Sequence, residues 1–102
     1  MKTNEVENIA KMIEAGEAVL LDVRGEAEYA GGHAMSAEHF DVGRLGAGEL
    51  PVIPKQMPIY VYCRSGGRAG MAKGFLEEAG FSQVQSIGGL TDWVAGGGSV
   101  EE

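Results

Sequence analysis

The sequence predicts an α/β domain built on a mainly parallel sheet with helices packed against it. Three observations carry this expectation. Short apolar runs alternate along the chain with segments of helical periodicity, and no stretch repeats another. The run Ala18-Val19-Leu20-Leu21-Asp22-Val23 is unbroken rather than alternating, as in a parallel strand covered on both faces. The segment from Ile59 to Ala79 reads as strand, glycine-containing loop and helix, an order that places a ligand site at the C-terminal end of the strand.

The elements follow in order. Asn4 with Glu7 has capping-box spacing, and Val6, Ile9, Ala10 and Ile13 share one helical stripe, so residues 5–15 are expected to form a helix stopped by Gly16. Residues 18–23 form the first strand. Polar residues 24–32 hold Glu26, Glu28 and Tyr29, enough for a short helix before Gly31-Gly32. A weaker strand is expected over residues 38–42. Residues 43–58 carry Pro51, Pro54 and Pro58 and are read as a connector with at most a short helix. Ile59-Tyr60-Val61-Tyr62 is rich in β-branched and aromatic residues and makes a central strand. Ala72, Phe75, Leu76 and Ala79 have i, i+3, i+4, i+7 spacing, with Gly80 as the helix stop. Residues 84–87 give another strand, Gly88-Gly89 a turn, and residues 90–94 a short helix carrying Trp93. Residues 94–102 are expected to be a frayed tail.

At 102 residues and 44% hydrophobic, the chain makes one domain, residues 1–102, with its own core. A net charge of −7 argues against nucleic acid or an anionic membrane as partner, since both require a basic surface. One cysteine excludes an internal disulfide, and one thiol with two histidines cannot fill a structural zinc site, so no metal is expected. The first eleven residues hold four charges and no apolar export segment, and no 18-residue apolar run exists. A cytoplasmic protein is expected, and a periplasmic one stays open because a cleaved signal peptide would leave no trace.

The chemistry concentrates at Cys63-Arg64-Ser65-Gly66-Gly67-Arg68. A cysteine at a strand end, followed by a tight loop and a helix N-terminus, meets converging backbone N–H groups and the positive end of a helix dipole. With Arg64 and Arg68 nearby, such a place stabilises a thiolate without a contacting base. His33 and His39 are distant in sequence. An inert core cysteine is the plain alternative, but it has no use for two arginines and two glycines directly after it.

The chain resembles the rhodanese family from about Val19 to Trp93. Leu20-Leu21-Asp22-Val23-Arg24, then Glu28-Tyr29 and Gly32-His33, resemble that family's first motif block. Tyr62 to Arg68 resembles its active-site loop, with Cys63 at the persulfide-forming position. Ala79-Gly80-Phe81 and Gly88-Gly89-Leu90 with Trp93 resemble its closing blocks. The resemblance implies a five-stranded parallel sheet flanked by helices, and a compact single-domain sulfurtransferase of the phage-shock type. It would move sulfane sulfur from a small anionic donor, thiosulfate or a persulfide, to cyanide or a thiol, with no cofactor. An acceptor protein is a further candidate partner. Arg64, Ser65, Gly66, Gly67 and Arg68 are then the anion-binding loop, and Asp22, Arg24, Glu28 and His33 are read as structural support. The chain departs from the family at Ala34-Met35-Ser36-Ala37, where Ile-Pro-Gly-Ala is common, and at Ala69, where Ser or Thr is frequent.

Two rival functions stand beside this one. Cysteine-dependent phosphatases and arsenate reductases also place a thiolate in an anion-binding loop, but they resemble Cys-x5-Arg, whereas Cys63 to Arg68 is Cys-x4-Arg. A sulfur carrier or regulatory interaction module with little turnover is the other. Gly70 and Gly74 fall within the helix after the loop, where close packing against the sheet or a ligand is expected to offset a cost of about 1 kcal/mol each.

Overall fold

The computed structural model describes residues 3–102, with side chains from residue 5 onward. Helix α1 (Thr3–Glu14) begins before Asn4, which therefore lies inside the helix and not at its cap position. Strand β1 (Val19–Asp22) follows, then α2 (Glu26–Ala30), β2 (His33–Ala34), β3 (Glu38–His39) and α3 (Val42–Gly46). The second half holds β4 (Ile59–Cys63), α4 (Gly67–Glu78), β5 (Val84–Gly89), α5 (Leu90–Ala95) and β6 (Val100–Glu101). The helix expected between residues 24 and 32 is present. The strand expected over 38–42 stops at His39, because Asp41 accepts from the Gly43 N–H at 2.8 Å and starts α3 at Val42.

The central sheet has four parallel strands in the order β3-β1-β4-β5. This corrects the expected count of five. The extra pairing goes to a separate antiparallel ribbon, β2 with β6, in which His33 faces Glu101 and Ala34 faces Val100. The ribbon also overturns the frayed tail. Trp93 donates its indole N–H to Ser99 O at 2.8 Å, and Met35 N–H donates to the same carbonyl at 2.9 Å. Gly96 lies against Val6 and Gly98 against the Trp93 ring, too close for any Cβ.

Strand alternation divides the core into two layers. Leu21 and Val23 of the β1 run, Ile59, Val61 and Cys63 of β4, and Ala69, Ala72 and Leu76 of α4 form one layer, with Leu45 of α3. Leu20, Tyr62 and Ile87 face the other way, onto Val6 and Ile9 of α1 and Trp93 of α5. Each fully buried aliphatic here contributes about 1.5–3 kcal/mol relative to exposure. Gly80 follows α4 with Phe81 N–H on Leu76 O and Gly80 N–H on Glu77 O, both 3.1 Å, the paired bonds of a Schellman ending. A Cβ on Gly70 or Gly74 would meet nothing within 4 Å, so the close packing expected of these two glycines is absent.

The chain runs outward from β1 to β3 on one side and from β4 to β5 on the other. The switch point thus lies between β1 and β4. Their C-terminal ends carry Asp22 opposite Tyr62, and Cys63 opposite Gly89 of β5.

Candidate active site

Cys63 closes β4 and is 1% exposed. The chain then turns through Arg64, Ser65 and Gly66 before α4 starts at Gly67. Gly66 adopts φ 107°, a left-handed conformation open to glycine at little cost, and no side chain caps the helix behind it. The first N–H groups of a helix have no partner within it. Here the cysteine sulfur takes that role: Gly66 N–H donates to Cys63 Sγ at 2.9 Å. Burial pushes the thiol up, but backbone N–H groups of Ala69, Gly66, Ser65 and Arg68 outweigh it and hold Cys63 below the ordinary thiol value. Ala69 supplies its N–H, which requires no hydroxyl at that position.

The loop is held from behind by β5. A Cβ on Gly89 would overlap the Arg64 carbonyl, and one on Gly66 would lie 3.6 Å from Gly88 Cα. These contacts set how deep the loop sits.

The two loop arginines differ in what they can do. Arg68 makes a bidentate pair with Glu28, Nη1 to Oε1 at 2.7 Å and Nη2 to Oε2 at 2.9 Å. Its guanidinium is therefore engaged across the loop by the Glu28 carboxylate. The Arg68 fork, helped by the Gly25 N–H, lowers the Glu28 carboxyl to about 2. Arg64 is exposed, and among the described residues it makes no side-chain hydrogen bond or ion pair. Ser65 and Gly67 are also exposed.

Asp22 and Arg24 stand behind the loop. Asp22 is fully buried and receives the Arg24 guanidinium, Nη2 to Oδ2 at 2.6 Å and Nε at 3.0 Å to both oxygens. Tyr62 donates its hydroxyl to Asp22 Oδ2 at 2.7 Å and accepts the Ala34 N–H at 2.9 Å. Burial, then the Asp22 bond, raises the Tyr62 phenol above its ordinary value. Arg24 reaches Gly32 O at 2.6 Å, and His39 Nε2 lies 2.7 Å from Arg24 O. His33 stacks on Tyr29 with ring centroids 3.8 Å apart and lies 3.3 Å from Glu101 Oε1. Asp22 and Arg24, with Tyr62, thus tie β1, β2 and β4 together, His33 ties β2 to α2 and β6, and Glu28 ties α2 to α4. Sequence reasoning gave no supporting role to Tyr62 or His39 and read Gly89 only as part of a turn. Strand alternation was the available signal for Tyr62, since it puts that residue on the same face as Asp22.

A family model described as Rhodanese-like domain matches residues 5–96. The chain is 34% identical over 77 residues to Thiosulfate sulfurtransferase GlpE of Pseudomonas fluorescens, covering 74% of this chain and 70% of that protein. It is 31% identical over 78 residues to Uncharacterized protein YqhL of Bacillus subtilis, covering 76% of this chain but only 61% of that longer one. Among solved structures, the Rhodanese_3 like domain of the Alr3790 protein from Anabaena sp superposes with a TM-score of 0.76 at 34% identity, covering 83% of this chain and 99% of that one.

Proposed function

This chain belongs to the family of rhodanese-like domains, and from that premise we propose that it moves sulfane sulfur from thiosulfate or a persulfide donor to cyanide or a thiol through a persulfide on Cys63. The observation that carries this reading is the sulfur atom itself, buried at a strand end and bound by the N–H groups that open α4. A thiolate held there is a nucleophile at lower pH than a free cysteine.

In the first half-reaction the Cys63 thiolate attacks the outer sulfur of thiosulfate. The new S–S bond forms on Sγ, and the old one breaks with its electron pair leaving on sulfite. In the second half-reaction cyanide or a thiolate attacks that terminal sulfur, and the electron pair returns to Sγ. Atoms and electrons balance without an oxidant. The N–H groups of residues 65, 66, 68 and 69 stabilise the cysteine when it acts as leaving group, as they stabilise it as nucleophile. Arg64, exposed at the loop mouth, attracts the anionic donor. Arg68 positions the first turn of α4 through Glu28.

The phosphatase reading loses support from the same pair, because the guanidinium that would grip a tetrahedral oxyanion is already occupied by a carboxylate. Mass spectrometry after thiosulfate treatment is expected to show one added sulfur on the wild type and none on Cys63→Ser. Thiocyanate production from cyanide should be lost in the same variant. No sulfur uptake from any donor would overturn the reading, and uptake without thiocyanate would point to a carrier that discharges onto a partner protein.

A further inference from the structure

Between Val61 and Cys63 the pairing of β4 with β5 slips by one residue. Val61 lies opposite Ser86 and Cys63 opposite Gly89, so a two-residue step on β4 faces a three-residue step on β5. The result is a β-bulge, which bends a strand and re-aims backbone groups beside a functional site. Gly88 takes φ 90° in it, a conformation that costs glycine little. Two parts of the bulge reach the cysteine loop. The Cys63 thiol points at Gly88 O, 3.9 Å away, and Gly89 leaves no room for a Cβ against the Arg64 carbonyl and Ser65 N. Both N–H groups of the bulge are held by side chains: Gly88 N–H donates to Ser86 Oγ at 3.2 Å, and Gly89 N–H donates to Asp92 Oδ2 at 2.7 Å. The Asp92 carboxylate also lies where a Cβ on Gly88 would be. Asp92 is exposed, at the third position of α5, and an acid there ordinarily does no more than cap its own helix. Here the residue it caps is the one opposite Cys63.

Resting on the sulfur-transfer reading above, we propose that Asp92 is a positioning residue for Cys63: by accepting the Gly89 N–H it fixes the bulge, and the bulge fixes how the Cys63 loop seats against β5. Ser65 and Gly66 each donate a backbone N–H to the sulfur, and they are the loop residues that face Gly89 and Gly88. Without the Asp92 bond the Gly88–Gly89 peptide is free to turn, the loop follows it, and those N–H groups lose their aim at Sγ. Hydrogen bonds weaken steeply as they bend, so a small displacement is enough. The sulfur then becomes a poorer nucleophile and a poorer leaving group. Charge acts in the opposite sense, because removing a carboxylate would by itself favour the thiolate. The sign of the effect therefore separates positioning from electrostatics. Arg68, whose charge interacts with the sulfur, and its partner Glu28 are left unaltered in the comparison.

The test is the pH profile of Cys63 alkylation by iodoacetamide, with folding of each variant checked by circular dichroism. At a pH where the wild-type rate is still rising, Asp92→Ala should react about fivefold more slowly, the scale of one hydrogen bond, with its profile displaced to higher pH. Asp92→Asn keeps an oxygen acceptor and should stay within about twofold of the wild type. An Asp92→Ala profile that coincides with the wild type or moves to lower pH would overturn the proposal, and so would an Asp92→Asn profile displaced as far as that of Asp92→Ala. Ser86→Ala frees the other N–H of the bulge and should displace the profile in the same direction; if Asp92→Ala does not fold, an unmoved Ser86→Ala profile overturns the proposal in its place. The measurement needs no sulfur donor. Failure of Cys63 to load from any donor would remove the sulfur-transfer reading and leave this comparison intact.

Discussion

Ser36 has φ 67°, and it is the one non-glycine residue with positive φ among the described residues. Ala37 N–H donates to Ala34 O at 3.0 Å, so Ser36 occupies the third position of a tight turn where positive φ favours glycine. The left-handed backbone costs an ordinary residue roughly 1–2 kcal/mol, and glycine returns part of that gain through its looser unfolded state. Ser36→Gly is therefore expected to stabilise the protein by about 0.5–1 kcal/mol, read as a higher urea midpoint at unchanged slope. The departure from Ile-Pro-Gly-Ala at this turn changed the residues but left a backbone that asks for glycine. The same scale separates what was legible at the site from what was not. Cys63 and its loop stood out because their chemistry is contiguous in sequence. The Arg68 partner did not, since Glu28 lies 40 residues away and reaches it only through the placement of α2.

At the scale of elements, α4 carries a conflict between sequence and structure. Gly74 is exposed in the helix interior with open space where its Cβ would be. Gly74→Ala should therefore stabilise by about 1 kcal/mol, raising Tm by roughly 4–8 °C in a domain of this size. An unchanged or lower Tm in calorimetry would contradict that accounting. Glycine there confers no packing advantage within the chain. The long elements were readable because α1, α4, β1 and β4 each show a period or a continuous apolar run. The two strands of the small ribbon were not, since two residues each are too few to show alternation. What creates them is tertiary: Trp93 needs a partner for its indole N–H, and Ser99 O supplies it.

At the scale of the whole molecule, the Glu28–Arg68 pair makes stability depend on pH. The folded Glu28 carboxyl at about 2 lies below its ordinary value of 4.5. Its contribution is then fully present above about pH 4.5 and is lost as pH falls towards 2. With a third of the side chain exposed, solvent screening limits it to about 1 kcal/mol. Denaturant unfolding of wild type and Glu28→Gln should differ by that amount near neutrality and converge in acid; a constant gap would refute the assignment. The parallel α/β class was legible throughout, because strands buried on both faces read as apolar runs. The contact of Gly89 with the Arg64 carbonyl bears on how such a loop can be redesigned. Inserting one residue between Cys63 and Arg68, to imitate the longer loop of a phosphatase, would push new backbone into a neighbour with no room to yield. Loop length and the end of β5 can therefore be altered only together, and a change of cargo is a two-strand engineering problem.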